Sequence, residues 1–242
     1  MIDRSRLEFE PGLWLDARGA VWLERESILA VADLHIGYAW AHRQQGNLLP
    51  VSAPEATTQR LLALIENYAP RDLVLLGDIV HSTARLPALE DELCTLFERL
   101  AEKTAPRLIT GNHDAQLLGL LGKCGIDACV QRELRAGPHL LLHGEGRDAT
   151  VAEKQLADAA QRRGRVIIGH EHPAIRLSDG VATSAKCPCF VFSAQLLVLP
   201  AFSPWSAGTN VRSHEFMSSL GRHSRMEGAV AIAAGKLLPI RL

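Results

Sequence analysis

Short apolar runs alternate with amphipathic segments along most of this chain. Leucine- and valine-rich runs that end at polar or glycine residues are typical of buried strands, and apolar residues spaced three and four apart are typical of helices. The pattern predicts strands at 27–32, 73–76, 107–110, 139–142 and 165–168. It predicts helices at 54–68, 87–103 and 150–162, with a further helical turn at 115–120.

The two ends of the chain are richer in strands than its middle. An opening hairpin is expected at 13–15 and 21–23, and further strands at 174–177, 190–192 and 195–199. A closing hairpin is expected at 229–233 and 237–241. Helices between strands, with strands collected at the ends, predict an α/β fold of two packed sheets flanked by helices. Since no linker-like segment divides the chain, we expect a single domain over 1–242.

Composition restricts the protein class only mildly. Apolar residues make up 47% and charged residues 22%, as in ordinary globular proteins. The net charge of −1 argues against a generally basic surface for nucleic acids. The charged N-terminus lacks a signal-like apolar segment, and the longest apolar stretch, 190–202, is shorter than the roughly 20 residues of a bilayer-spanning helix. We therefore expect a cytoplasmic protein without a membrane association.

The five cysteines are an odd number, and their spacing predicts no disulfide framework. Cys187 and Cys189 flank a proline in front of an apolar run. We interpret them as small buried residues at the start of a strand, because a zinc site would need two further soft ligands.

Polar motifs follow the apolar strands in a fixed order. In open α/β sheets, functional sites form at the carboxyl ends of the strands, where the loops converge. The motifs are Asp33-Leu34-His35, Gly77-Asp78, Gly111-Asn112-His113-Asp114, His143-Gly144 and Gly169-His170-Glu171-His172.

These residue types suit a two-metal hydrolytic site. Two divalent cations about 3.5–4 Å apart can clamp a phosphoryl group and lower the pKa of a water molecule, which requires one ligand that bridges them. Asp78 is the natural bridge, because a carboxylate has two oxygens. Imidazole, carboxylate and amide ligands favour Mn²⁺, Fe or Zn²⁺ over Ca²⁺.

The motifs, spanning residues 33 to 172, resemble those of the calcineurin-like metallophosphoesterase superfamily, which run D-x-H, G-D, G-N-H-[DE], H and G-H-x-H. The resemblance implies an αββα two-sheet sandwich and two divalent metal ions, with Mn²⁺ expected first. It implies a phosphoesterase in which a hydroxide held by the metals attacks phosphorus. It assigns one ion to Asp33, His35, Asp78 and His172, and the other to Asp78, Asn112, His143 and His170. It makes His113 the group that assists the leaving oxygen, and Asp114 the residue that holds the His113 imidazole.

Further motifs resemble the bacterial ICC-like phosphoesterases, some of which are associated with a DNA ligase and a helicase. These motifs are Asp33-Leu34-His35-Ile36-Gly37, the segment from Gly77 to Ser82, Lys186-Cys187-Pro188-Cys189-Phe190 and Leu199-Pro200-Ala201-Phe202-Ser203. This resemblance implies a phosphodiesterase, and a DNA-repair nuclease is one candidate for its identity. It also implies a functional link to a ligase and a helicase. Two alternatives stay open: a phosphomonoesterase acting on a nucleotide or small metabolite, and a non-catalytic scaffold that binds a partner.

Two residues near the motifs are candidates for substrate binding. His81 lies three residues after Asp78, and Arg43 follows the first metal loop, although both could instead be surface residues. Trp205 and Asn210 could close over a base or serve the structure. Apolar surface could also support a homodimer.

Overall fold

The computed structural model describes residues 4–47, 49, 53–81, 87–178, 180, 184–206, 208–213 and 215–242. Ser82, the last residue of one motif, lies outside this part of the chain. The strands are β1 (Arg6–Glu10), β2 (Leu13–Asp16), β3 (Ala20–Leu23), β4 (Ile28–Ala32), β5 (Asp72–Leu76), β6 (Ala105–Ile109), β7 (Cys129–Gln131), β8 (Glu133–Ala136), β9 (His139–Leu142), β10 (Val166–Ile168), β11 (Pro173–Ser178), β12 (Ser184–Phe192), β13 (Leu196–Val198), β14 (Thr209–Asn210), β15 (Gly228–Ala233) and β16 (Lys236–Arg241). The helices are α1 (Tyr38–Gln44), α2 (Ala53–Tyr68), α3 (Pro87–Ala101), α4 (Leu117–Lys123), α5 (Ala149–Gln161) and α6 (Ser219–Arg222).

The strands form two sheets. The first has the order β1-β2-β3-β4-β5-β6-β7 and changes from antiparallel to parallel pairing at β4. The second has the order β14-β11-β12-β13-β10-β9-β8, and β15 and β16 extend it from β12. In its centre, β10 pairs in parallel with β9 and β13. The polar motifs follow five strands with parallel pairing, β4, β5, β6, β9 and β10.

Side chains of the central strands are buried on both faces, which explains their continuous apolar sequences. Along β4, Leu29 and Val31 pack toward the helices, whereas Ile28 and Ala30 pack toward the other sheet. The β10 strand alternates in the same way between the inter-sheet core and a third core beneath α5 and α6. Helices α2, α3 and α4 cover the first sheet. The predicted two-sheet α/β sandwich is thus confirmed.

Several elements were not predicted. Strand β1 is a partly exposed edge strand with charged residues, so its apolar signal is weak. Helix α1 follows Gly37 in a left-handed conformation without a side-chain cap, and α6 has only four residues. The turn predicted at 115–120 is helix α4, shifted to Leu117–Lys123. Among the described residues, no helix combines the length and apolar character needed to cross a membrane.

The cysteine prediction was wrong for one pair. Cys94 in the middle of α3 and Cys124 at the end of α4 form a disulfide across 30 residues, because the packing of these two helices brings the end of α4 against α3. Sequence spacing alone gave no sign of that proximity. Cys187 and Cys189 are buried free thiols on β12, which confirms the structural interpretation of that pair.

A buried carboxylate joins the opening hairpin to α2. Asp16 accepts hydrogen bonds from the backbone and guanidinium of Arg18 and from the Tyr68 hydroxyl, at 2.7 to 2.9 Å. Burial alone would raise the pKa of Asp16, but these hydrogen bonds outweigh it and hold the pKa below the ordinary 3.8. The ionised carboxylate is therefore stabilising.

We predict that Asp16→Asn lowers the free energy of unfolding by about 2–4 kcal/mol at neutral pH, because it leaves a buried hydrogen-bond network incomplete. Denaturant unfolding would measure the loss. The folded pKa is depressed, so the difference should be complete above about pH 4 and shrink as the pH falls through that pKa. Asp158→Asn, at the exposed pair with Arg135, is the control and should change stability by less than about 1 kcal/mol. Equal effects of the two substitutions would contradict this account.

Candidate metal centre

The polar motifs converge at one edge shared by the two sheets. Asp33 and His35 follow β4, Asp78 follows β5, and Asn112 follows β6 in the first sheet. His143 follows β9, and His170 and His172 follow β10 in the second. Within each sheet, neighbouring loops are joined by backbone hydrogen bonds, from Asp33 N–H to Gly77 O in the first sheet and from Gly169 N–H to His143 O in the second. All seven predicted metal ligands therefore sit at the carboxyl ends of strands.

One group of side chains consists of Asp33, His35, Asp78 and His172, whose candidate ligand atoms lie within 4.8 Å of one another. The Nε2 atoms of His35 and His172 face each other at 3.2 Å, and His172 Nε2 is 3.4 Å from Asp33 Oδ1. Asp33 is fully buried, and its carboxylate also accepts the His170 backbone N–H. These four side chains are the ones that the family resemblance assigned to one ion.

The second group consists of Asp78, His143 and His170, which again lie within 4.8 Å. His143 Nε2 is 3.2 Å from His170 Nδ1, 3.2 Å from Asn112 Oδ1 and 3.4 Å from Asp78 Oδ1. Asn112 therefore adds its amide oxygen to this group. Asp78 belongs to both groups and occupies the position of a bridging ligand.

The donor atoms fit divalent metal ions. Two nitrogen ligands about 2.0–2.1 Å from one ion lie about 3.0–3.4 Å apart, which matches the His35–His172 and His143–His170 separations. Burial, with nearby histidines as a smaller effect, lowers the pKa of His35 to about 3, so its ring is neutral and can offer a lone pair. His35 Nδ1 is also buried without a hydrogen-bond partner. Several nitrogen and oxygen lone pairs thus face one another in a space that a cation would stabilise.

The surrounding residues fix which ring nitrogen points inward. His143 Nδ1 lies 3.0 Å from the Leu76 carbonyl, which accepts a hydrogen bond and leaves Nε2 as the ligand atom. The Ser206 hydroxyl lies 2.9 Å from His172 Nδ1, so His172 likewise presents Nε2. Such outer contacts typically orient metal ligands and raise their affinity. The sequence motifs did not reveal Ser206.

The backbone around the ligands is unusual. Asp33, His35, Asp78, His170 and His172 all have positive φ angles, between 44° and 66°. Non-glycine residues rarely adopt this left-handed region, and it costs about 1–3 kcal/mol for each residue. The surrounding strands hold these residues there, which is how short loops aim several side chains at one point.

Two glycines allow the ligands to approach. A Cβ atom on Gly77 would collide with the His143 ring, and one on Gly111 would collide with Asp78 Oδ1 and lie 2.9 Å from His143 Nε2. The glycines of the Gly77-Asp78 and Gly111-Asn112 motifs therefore leave room for the ligands themselves.

The structure corrects the role predicted for Asp114. Its carboxylate accepts hydrogen bonds from the backbone N–H groups of Ile79, Val80 and Gly111, at 2.8 to 3.1 Å. The His113 ring instead has Nδ1 3.2 Å from the His81 carbonyl. Asp114 thus joins two ligand loops and does not hold the imidazole, because its short side chain is already committed to these backbone donors.

The two candidate substrate-binding residues lie in different places. The His81 ring is 5.3 Å from the His35 ring and 5.6 Å from the His113 ring, so it borders the centre. Arg43 is exposed on α1, with its guanidinium 5.9 Å from the Trp40 ring. Trp205 stacks on Tyr38 at 6.1 Å, whereas the side-chain amide of Asn210 hydrogen-bonds to Ser213. Of these four residues, His81 is the one whose ring lies next to a predicted ligand.

A cavity of about 760 Å³ opens over the centre. It is bordered by predicted ligands and by residues that sequence reasoning missed. The missed lining residues are Glu145, Arg147, Glu171, Thr209, Met217 and Arg222. No motif marked the arginines, since each lies on a loop or short helix whose position depends on tertiary packing.

We predict that Gly111→Ala weakens Mn²⁺ affinity by about 10- to 100-fold, because the added methyl group would push Asp78 out of position. Calorimetric titration of metal-stripped protein would measure the change. The control is Gly119→Ala in α4, where a methyl group meets nothing within 4 Å. That variant should bind metal normally and gain up to about 1 kcal/mol of helix stability. Wild-type affinity in the Gly111 variant would contradict the proposed crowding.

Comparisons with known proteins agree with this centre. A family model described as calcineurin-like phosphoesterase matches residues 26–174, more than half of the 242-residue chain and all seven predicted ligands. No curated protein sequence matches significantly. The crystal structure of the Pseudomonas putida nuclease MPE is similar, with 25% identity and a TM-score of 0.70 over 98% of this chain and 100% of that one. A protein of unknown function from Aquifex aeolicus, AQ665, shows a weak likeness, with 16% identity and a TM-score of 0.37 over 60% of this chain and 78% of that one. The match of the family model over the metal-binding loops shows that the chain belongs to the calcineurin-like phosphoesterase family.

Proposed function

We propose that this phosphoesterase is a two-metal phosphodiesterase that cleaves nucleic acid. The single observation that carries the proposal is the position of His113 beside Asp78, the carboxylate shared by the two ligand groups. The similarity to a solved nuclease supports the choice of a diester substrate.

We expect His113 to serve the leaving group. Its Nε2 lies 3.9 Å from Asp78 Oδ2, its backbone N–H donates to Asp78 Oδ1 at 3.0 Å, and its side chain is 41% exposed. The His81 carbonyl engages Nδ1, which leaves Nε2 free to pass a proton to an oxygen in the cavity. A group within reach of both the metal ligands and the cavity is what a general acid needs.

The other residues hold and shape the reacting centre. When bound, two divalent ions would neutralise the phosphate charge and acidify a water molecule to supply a nucleophile. Asp33, His35 and His172 would hold one ion, and Asn112, His143 and His170 the other, with Asp78 shared. Mn²⁺ is the ion we expect first, with Fe and Zn²⁺ compatible with the same donors.

We expect His113→Ala to retain metal but to lower kcat about 10²–10⁴-fold on the dinucleotide TpT, whose leaving alkoxide needs a proton. The loss should be smaller on bis-p-nitrophenyl phosphate, whose leaving group departs readily without one. Asp78→Ala should lose metal and activity together, because it removes the shared ligand. If the His113 variant cleaves TpT at the wild-type rate, His113 is not the proton donor.

The substrate class is tested by comparing the rates at which two model esters are hydrolysed by metal-stripped protein to which Mn²⁺ has been added back. A phosphodiesterase should hydrolyse bis-p-nitrophenyl phosphate in preference to p-nitrophenyl phosphate. Strong preference for the monoester would instead favour a phosphatase of nucleotides or small metabolites. The scaffold alternative would be favoured if the protein hydrolyses neither model ester and does not cleave TpT with any divalent metal.

A further inference from the structure

Two arginines border the cavity from outside the metal-binding loops. Arg147 lies on the loop between β9 and α5, and Arg222 is the last residue of α6. Both are exposed, and within the described part of the chain neither has an ion pair or hydrogen bond through its guanidinium. Their charges are thus available to a ligand in the cavity.

The two arginine-bearing segments are attached to each other and to a metal-binding loop. Ser219 N–H donates to the Gly146 carbonyl at 2.9 Å, which joins the start of α6 to the loop that carries Arg147. Glu171, buried between the two histidines of its motif, accepts hydrogen bonds from Met217 N–H at 2.8 Å and Ser218 N–H at 2.7 Å. The wall of the cavity that bears the arginines therefore has a fixed position relative to the centre.

The two unpaired arginines of this wall can bind an anion. Apart from the predicted metal ligands, the described lining residues carry two guanidinium groups, on Arg147 and Arg222, and two carboxylates, on Glu145 and Glu171. Both oxygens of the buried Glu171 carboxylate accept backbone N–H groups, and neither arginine is paired with it. Arginine binds phosphate particularly well, because its planar donors can engage two oxygens together.

The cavity is also larger than one phosphate group requires. Its volume of about 760 Å³ falls within the range of about 300–1,000 Å³ typical of sites for drug-sized ligands. A phosphodiester bound at the metal centre would leave room for the nucleosides on either side of it, and for the next phosphate.

We propose that Arg147 and Arg222 form a second phosphate-binding subsite, which selects substrates with a further phosphate next to the bond that is cleaved. The preferred ligand is thus an oligonucleotide strand rather than an isolated diester. This inference rests on the proposed phosphodiesterase function and adds residues outside the metal-binding motifs to its substrate recognition.

The test compares TpT, which has one diester, with TpTpTpT, whose central diester has a phosphate on each side. With Mn²⁺-loaded wild-type protein, kcat/KM for the central bond should exceed that for TpT by at least about tenfold. The ratio of these two kcat/KM values should fall about tenfold for Arg147→Ala and for Arg222→Ala, mainly because KM for TpTpTpT rises. It should fall further in the double variant. Arg225→Ala, an exposed arginine close to α6 but outside the cavity lining, should keep the wild-type ratio.

Salt dependence gives an independent readout. Each phosphate contact on a single strand contributes about 0.7 to the slope of log KM against log salt concentration. The double variant should therefore reduce that slope by about 1.4 for TpTpTpT. Metal content and melting temperature should match the wild type, since both side chains are exposed.

Binding separates failure of the subsite from failure of the proposed function. Metal-stripped protein would be titrated into dye-labelled TpTpTpT and followed by fluorescence anisotropy. If the wild type cleaves no diester, the phosphodiesterase proposal fails. In that case, weaker binding of TpTpTpT by the double variant than by the wild type would still support the subsite. The subsite proposal would be overturned if the double variant keeps the wild-type ratio of kcat/KM for TpTpTpT to kcat/KM for TpT. Where no diester is cleaved, it would be overturned if the wild type and the double variant bind TpTpTpT equally.

Discussion

The whole site depends on bringing buried carboxylates and imidazoles together with their lone pairs facing one another. Asp33 and Asp78 are almost fully shielded from water, and two pairs of histidine nitrogens lie 3.2 Å apart. Such a cluster is unfavourable without a cation, because buried charges and unpaired polar atoms are costly. The fold sustains it through backbone hydrogen bonds between the loops, glycines at the contacts and the Asp114 carboxylate that binds three backbone donors. The positive φ angles of five predicted ligands add backbone strain, which is a further energetic cost of bringing these side chains together.

A structural feature could be predicted from the sequence where residues close together in the chain determine it. The central strands were predicted because both of their faces are buried, so apolar runs such as 73–76 mark them clearly. The ligand positions followed from polar residues placed directly after those runs. Features fixed by tertiary packing escaped prediction. Asp114 bonds to Ile79 and Val80, about 35 residues earlier, and the Cys94–Cys124 disulfide depends on how α3 meets α4.

The two sheets contribute differently to function. The first supplies both acidic ligands, His35, Asn112 and His113, whereas the second supplies His143, His170 and His172 and carries the segments with Arg147 and Arg222. Glu171 connects these roles, because it lies between two ligands and accepts the backbone N–H groups that lead into α6. Family membership accounts for phosphoester hydrolysis, whereas the proposed preference for an oligonucleotide strand rests on Arg147 and Arg222, which lie outside the metal-binding motifs. One fold can host many functions, because function depends on the particular residues of the site.

The central claim is that two metal ions share Asp78, and electron paramagnetic resonance of the Mn²⁺-loaded protein tests it most directly. Two Mn²⁺ ions about 3.5–4 Å apart and joined by a carboxylate should be magnetically coupled. We expect two bound ions per chain and a coupled multiline spectrum that Asp78→Ala abolishes. A single bound ion, or two ions with independent six-line spectra, would contradict the account.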